Sequence, residues 1–143
     1  MYERLIYVSR ARAGLGLHEV YDIIRSAHNR NSRLNLTGGL ISLDGHFVQL
    51  IEGESFRLHE RFAVIAADAR HTNVEVRHTA SISDRLFPDH WMALRLQGEI
   101  DAGVLAQFDY QPGLPTTSFD AKRLQDFVWA CCSASQRGAS EAP

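Results

Sequence analysis

The chain of 143 residues has two cysteines, one lysine and no long apolar run. Cys131 and Cys132 are adjacent, a spacing that rarely forms a disulfide and provides no framework of bridges. The sequence therefore predicts a reducing, cytoplasmic environment. No apolar run approaches the roughly 18 residues that a membrane helix needs. The N-terminus leads directly into a strand-like run and does not have the form of a signal peptide.

An excess of charge of either sign is also missing. The formal net charge is −2, and the basic residues are almost all arginine, with Lys122 the one exception. The chain has no basic run and no interleaving of basic with aromatic residues, which argues against a nucleic-acid partner. The histidines are not spaced as metal ligands and no cysteine joins them, so no metal site is predicted.

Hydrophobic periodicity predicts a β-α-β-β-α-β order followed by one more strand. Apolar runs indicate strands, and i, i+3, i+4 spacing, as in Val20, Ile23 and Ala27, indicates amphipathic helices. The predicted strands cover residues 5–9, 40–43, 46–52, 74–82 and 91–96. This order favours an α+β fold with a ferredoxin-like, five-stranded mixed sheet and two helices on one face.

After residue 97 the composition changes. Residues 98–108 predict a weak helix, residues 110–115 a linker, and Ser118 an N-cap for a final helix with an apolar stripe. We therefore divide the chain into a domain at 1–97, a C-terminal helical extension at 98–136 that packs as a cap, and a disordered tail at 137–143.

Gln49 is the most informative residue, because it interrupts an apolar strand at residues 47–51. A buried amide without partners costs about 1–3 kcal/mol, so its retention predicts a bonding partner. Tyr7 in the first strand and Asn31 on the inner face of the first helix are the candidates. Three such groups in an apolar setting could bind a planar heterocycle. Alternatively, Tyr7 is an ordinary core tyrosine and Asn31 merely ends its helix.

The chain resembles the BLUF family, the "blue light using flavin" photoreceptor modules. The resemblance runs from about Leu5 to about Leu94 and rests on ordered blocks rather than on one motif. The blocks are Tyr7-Val8-Ser9; Asn31 with Leu36-Thr37-Gly38-Gly39-Leu40; Phe47-Val48-Gln49-Leu50-Ile51-Glu52-Gly53; Asp68-Ala69-Arg70-His71; and Arg85-Leu86-Phe87-Pro88-Asp89 before Met92.

The resemblance implies a non-covalently bound flavin, FAD or alternatively FMN or riboflavin, between the two helices. By position, Tyr7 is the redox-active tyrosine, Gln49 the switching glutamine, and Ser9 and Met92 line the switch. The implied cofactor-binding residues are Asn31 at the O4/N3 edge, Arg70 at the other carbonyl edge, Asp68 near the ribityl chain, His71 beside the ring, and Arg30.

The resemblance also implies a light-driven switch without substrate turnover. Tyr7 gives an electron and then a proton to the flavin, Gln49 rotates or tautomerises, and absorption shifts to the red. Four positions depart from the family pattern, one of which is Ala27, where the family has a helix serine and this chain has Ser26 one place earlier. His90 stands where members commonly carry Trp, Val64 where some carry Arg, and Arg30 where His or Asn is frequent. Strand alternation predicts that His90 and Met92 share one face and that Trp91 faces away from the flavin.

Three functions remain open. The first is a non-enzymatic blue-light sensor that signals to a protein partner through the last strand and the C-terminal helices, and forms a dimer. The second is a light-insensitive interaction module with the same fold. The third is a small hydrolase on this common fold, in which Gln49 would have no role.

Overall fold

A computed structural model of the chain describes residues 1–112 and 118–141. Its strands are β1 (Tyr2–Ala11), β2 (Thr37–Leu43), β3 (His46–Glu54), β4 (His71–Ser81) and β5 (Ala93–Arg95). Its α-helices are α1 (Leu17–Leu34), α2 (Ser55–Ala66), α3 (Ala102–Gln107) and α4 (Ala121–Glu141), with a 3-10 turn at Gln97–Glu99. None of the helices within the described residues is both long and apolar enough to cross a membrane.

The five strands form one mixed sheet in the order β4-β1-β3-β2-β5. β1 pairs antiparallel with β3 and β4, and β3 pairs antiparallel with β2. β5 lies at the edge, parallel to β2. The predicted α+β class and ferredoxin-like sheet are confirmed.

The two faces of the sheet carry separate apolar clusters because successive side chains on a strand point to opposite sides. On one face, Leu5 and Ile51 pack against Leu58 of α2, while Phe47 packs with Val20 of α1. On the other face lies a larger cluster with α4, made of Ile6, Val8, Val48, Leu50, Leu124, Phe127 and others. We call these the α1/α2 face and the α4 face.

A buried ion pair connects the sheet to its surroundings on the α4 face. The Nε of Arg4 donates to Glu52 Oε2 at 2.7 Å, and Glu52 is fully buried. Glu52 Oε1 also accepts from the backbone N–H groups of Leu86 and Phe87 at 2.8 and 2.9 Å. Arg4 extends the network to Gln125 of α4. The pair therefore joins β1, β3, the β4–β5 connection and α4.

The cysteines of α4 are packing groups. Both are buried, and Gly39 of β2 leaves room for one of them, since a Cβ at this glycine would lie 2.9 Å from Cys132 Sγ. Burial raises the pKa of both thiols well above the usual range. They remain protonated at neutral pH and are poor nucleophiles.

Several element boundaries differ from the sequence prediction. β5 begins at Ala93 rather than at residue 91, and β4 already begins at His71. α4 is capped by Asp120, whose carboxylate accepts from the Arg123 N–H at 2.8 Å, and not by Ser118. α4 continues to Glu141, further than predicted, while residues 142–143 of the predicted tail lie outside the described residues. So do residues 113–115 of the predicted linker.

Candidate flavin site

A pocket opens on the α1/α2 face, with the sheet as its floor and one helix on each side. Apolar side chains from α1, α2 and the sheet form much of its lining, and polar groups come from the centre of the sheet and the α2–β4 connection. The lining residues are Tyr7, Ile23, Ser26, Ala27, Arg30, Leu40, Phe47, Gln49, Arg61, Val64, Ile65, Asp68, Arg70 and His71.

Tyr7 and Gln49 lie opposite each other on β1 and β3. Directly paired residues of antiparallel strands point to the same face with their side chains in contact. The Tyr7 hydroxyl donates to Gln49 Oε1 at 2.5 Å, and both residues are 3% exposed. Burial raises the pKa of Tyr7 well above its usual range, so the phenol is protonated at neutral pH.

Gln49 has a second partner in Met92. Its Nε2 donates to the Met92 Sδ at 3.4 Å. A thioether sulfur can only accept, whereas a tyrosine hydroxyl can donate or accept. These two neighbours therefore favour the orientation in which the Gln49 carbonyl faces Tyr7 and its amide faces Met92. The reverse orientation would place two acceptors against each other at Met92.

Asn31 is buried as its helical spacing predicts, but its protein partner is not Tyr7 or Gln49. α1 continues to Leu34, so Asn31 does not end the helix. Its Nδ2 donates to the backbone carbonyl of Trp91 at 3.0 Å. Residues 91 and 92 thus connect Asn31 to Gln49, and the predicted polar triangle closes through this segment rather than directly.

His71 is held by two short hydrogen bonds. Its Nδ1 lies 2.7 Å from the Ser9 hydroxyl, and its Nε2 lies 2.7 Å from the Ile65 carbonyl. Because a carbonyl can only accept, Nε2 carries a proton. The imidazole stands edge-on to both Tyr7 and Phe47, with ring centroids 6.0 and 6.2 Å apart. Ser9 therefore acts on the pocket through the orientation of His71.

Asp68 and Arg70 form an ion pair at the end of α2. Arg70 Nε lies 3.0 Å from Oδ1 of Asp68, and Arg70 Nη2 lies 2.6 Å from Oδ2. The hydrogen bonds from Arg70 lower the pKa of Asp68 to about 2, and the same contact raises the pKa of Arg70. The two charges compensate each other at the pocket.

His90 and Met92 do not share a face, contrary to the prediction from strand alternation. Residues 90–92 precede β5, so the alternation of a strand does not apply to them. The His90 ring contacts Phe87 of the α4-face cluster at 6.5 Å between centroids, whereas Met92 contacts Gln49. Trp91 is 37% exposed and is not among the lining residues, in keeping with its predicted direction away from the pocket.

Comparison with known proteins decides the family. The sequence profile described as "Sensors of blue-light using FAD" matches residues 2–93. The chain belongs to the BLUF family. BLUF domains are sensory modules that bind a flavin and are not themselves enzymes.

Relatives and solved structures agree with this assignment. The chain is 36% identical to photoactivated adenylate cyclase subunit beta of Euglena longa over 87 residues, 61% of this chain and 10% of that protein. It is 31% identical over 130 residues to the blue light- and temperature-regulated antirepressor BluF of Escherichia coli, covering 89% of this chain and 32% of that protein. The BLUF protein BlrB in its dark state superimposes with a TM-score of 0.76 at 30% identity, covering 94% and 96% of the two chains.

The chain spans only a tenth to a third of the length of these two sequence relatives. The similarity to BlrB covers nearly both chains, as does the similarity to BlsA in its photo-activated state, with a TM-score of 0.81 at 25% identity. These two likenesses include α4 as well as the BLUF sheet.

The pocket contains most of the residues assigned from sequence. Tyr7, Gln49, Arg30, Asp68, Arg70 and His71 line it. Ser9, Asn31 and Met92 are buried beside it, bonded to His71, the Trp91 carbonyl and Gln49.

Arg61 also lines the pocket, and the sequence assignment missed it. It follows Leu58 by three residues and precedes Ile65 by four, which places it beside the apolar stripe of α2. A charged residue beside the apolar stripe of a helix was the feature of the sequence that could have indicated a pocket residue.

Proposed function

We propose that this chain is a blue-light receptor that binds FAD non-covalently and switches through Tyr7 and Gln49. The buried hydrogen bond of 2.5 Å between these residues, at the floor of a pocket flanked by two helices, carries the proposal. The flavin, when bound, supplies the blue-light absorption and accepts an electron and a proton. The apolar walls from Ile23, Ala27 and Val64 suit a planar aromatic ring.

Tyr7 gives an electron and then its proton, and because burial raises the pKa of this phenol, the tyrosine holds its proton until it has been oxidised. The hydrogen bond to Gln49 Oε1 provides the route for that proton. Once Tyr7 no longer donates, the hydrogen bond that holds the Gln49 carbonyl towards the tyrosine is lost. Rotation or tautomerisation of its amide then creates a new donor arrangement towards the flavin, which accounts for a red shift.

The same change alters the contact between Gln49 and Met92, and this contact starts the output path in our proposal. The segment before β5 is fixed by the Asn31–Trp91 bond and by the Gly38 N–H, which donates to the His90 carbonyl at 3.2 Å. The His90 ring contacts Phe87, and Phe87 contacts Trp129 of α4 with centroids 5.4 Å apart. A shift at residue 92 would therefore reach α4 through aromatic contacts.

The receiver of this change is a downstream protein in our proposal. Trp129 is 45% exposed on α4, so a partner can contact it. A movement of Phe87 would change the position of this side chain. The homodimer and the cytoplasmic location stay predictions from sequence.

Absorption spectra before and after blue light test the function. We expect the wild type to show a flavin spectrum that shifts reversibly to the red. Tyr7→Phe and Gln49→Leu should bind flavin and show no such shift, while Tyr21→Phe, at an exposed tyrosine of α1, should behave as wild type. A normal shift in Gln49→Leu would contradict the switch assignment.

The alternative is a light-insensitive interaction module. His90 favours it, since the family commonly carries tryptophan at this position. A wild-type protein that binds flavin without any light-induced shift, or that binds no flavin after incubation with FAD, FMN or riboflavin, would support this alternative.

A further inference from the structure

The flavin pocket has more positive charge than its acidic residues balance. Three arginines line it, Arg30, Arg61 and Arg70, against the single carboxylate of Asp68. Asp68 is fully engaged by Arg70 through both of its oxygens. Among the described residues, Arg30 and Arg61 have no ion-pair partner. The pocket therefore presents two uncompensated guanidinium groups.

Arg61 is the more unusual of the two. Its Nε is buried and has no hydrogen-bond partner among the described residues. Burial and the neighbouring charge of Arg30 both lower the pKa of Arg61. A buried donor without a partner is unfavourable, and more so when it is charged. An acceptor from a ligand would remove that cost.

The chemistry of the pocket indicates which ligand group this is. The ring system of an oxidised flavin is neutral and offers only carbonyl and ring-nitrogen acceptors. The anionic group of FMN and FAD is the phosphate on the ribityl chain, which riboflavin lacks. Guanidinium groups bind phosphate through paired, charge-assisted hydrogen bonds.

We propose that Arg61, together with Arg30, binds the ribityl phosphate and makes this pocket selective for FMN and FAD over riboflavin. The inference rests on the proposed flavin-binding function and adds the residues that select the flavin. Arg61 lies about one turn before Val64 on α2, and both residues line the pocket.

Titration of the flavin-free protein with riboflavin, FMN and FAD tests this proposal. We expect Arg61→Met to weaken FMN and FAD binding about tenfold or more, and riboflavin binding less than about twofold. Arg33→Met, at an exposed arginine of α1, is the matched control for loss of one positive charge and should change none of the three affinities appreciably.

Ionic strength gives a second readout. Raising the salt concentration should weaken FMN binding to the wild type and should weaken it much less in Arg61→Met, because screening acts on the lost contact. Riboflavin binding should depend little on salt in both proteins. Should Arg61→Met fail to fold, Arg30→Gln, at an exposed position, tests the same selectivity.

Equal losses for all three flavins would overturn the proposal, since Arg61 would then contact the ring. Equal wild-type affinity for riboflavin and FMN would also overturn it, and would leave the light-sensor function intact if the red shift is present. Absence of binding by any flavin would instead contradict the function on which the inference rests.

Discussion

The buried polar groups on the two faces of the sheet differ in how completely they are hydrogen-bonded. On the α4 face, Glu52 accepts from Arg4 and from two backbone N–H groups. On the α1/α2 face, Gln49 has one strong partner and one weak one, and Arg61 Nε has no hydrogen-bond partner within residues 1–112 and 118–141. Gln49 and Glu52 are only three residues apart on β3. One strand therefore supports both a structural network in which every group is hydrogen-bonded and a site with groups left for a ligand.

The number of hydrogen bonds formed affects stability. When one member is removed from a network in which every group is bonded, the free energy of unfolding falls most. Unsaturated groups contribute less to the fold and are free to change partners. The α4 face should therefore govern the free energy of unfolding, and the α1/α2 face should govern photochemistry and ligand affinity. Changes on each face can be measured separately with these two kinds of readout.

Glu52→Ala should have the largest effect on stability. It leaves the Arg4 charge buried without its carboxylate and removes the acceptor for the Leu86 and Phe87 N–H groups. Breaking a buried pair in this way costs about 3–5 kcal/mol. Urea unfolding at constant flavin concentration measures this loss, and Glu60→Ala, at an exposed carboxylate of α2, is the control.

A loss below about 1 kcal/mol for Glu52→Ala would refute the view that the α4 face carries the stability. If this variant does not fold, Glu52→Gln keeps one acceptor oxygen and should give an intermediate loss. Protein that does fold should keep the light-induced shift, because Glu52 lies on the face opposite the pocket.

The sequence contained enough to predict the sheet and the centre of the site. Gln49 stands out because its neighbours are apolar, and its pairing with Tyr7 follows from the register of two antiparallel strands. Both features depend on local pattern and on a regular sheet. The order of strands and the burial of Asn31 depend on the same regularity.

What could not be predicted depends on irregular segments and on contacts between distant elements. Residues 88–92 form no strand, so alternation gave the wrong face for His90 relative to Met92. The bond from Asn31 to the Trp91 carbonyl likewise needs the path of that segment. The role proposed for Arg61 depends on its closeness to Arg30 of another helix and on the ion pair that occupies Arg70. Neither contact follows from the sequence around Arg61.

Met92→Leu should have a moderate effect, confined to the α1/α2 face. It removes the sulfur acceptor that favours the present orientation of the Gln49 amide. We expect the flavin and the red shift to persist and the dark recovery to slow about two- to fivefold, since a weak hydrogen bond is worth about 0.5–1 kcal/mol. Absorption after a light pulse measures the rate, and an unchanged rate would mean that Met92 does not orient Gln49.

Asp68→Asn should have the smallest effect, visible mainly as a change in pH dependence. The hydrogen bonds from Arg70 lower the pKa of Asp68 to about 2, below the ordinary value of 3.8. The pair therefore stabilises the folded state above about pH 4, and this contribution is lost as the pH falls from about 4 to about 2. Because the Asp68 side chain is 30% exposed, solvent screening limits the contribution to about 0.2–1 kcal/mol at neutral pH.

Urea unfolding at pH 7 and at pH 3 measures this contribution. From pH 7 to pH 3, the urea concentration at the midpoint should fall less in Asp68→Asn than in the wild type. Equal falls in both proteins would show that the ion pair is not kept in solution, in which case Arg70 would join Arg30 and Arg61 as a third cation free to bind the ligand.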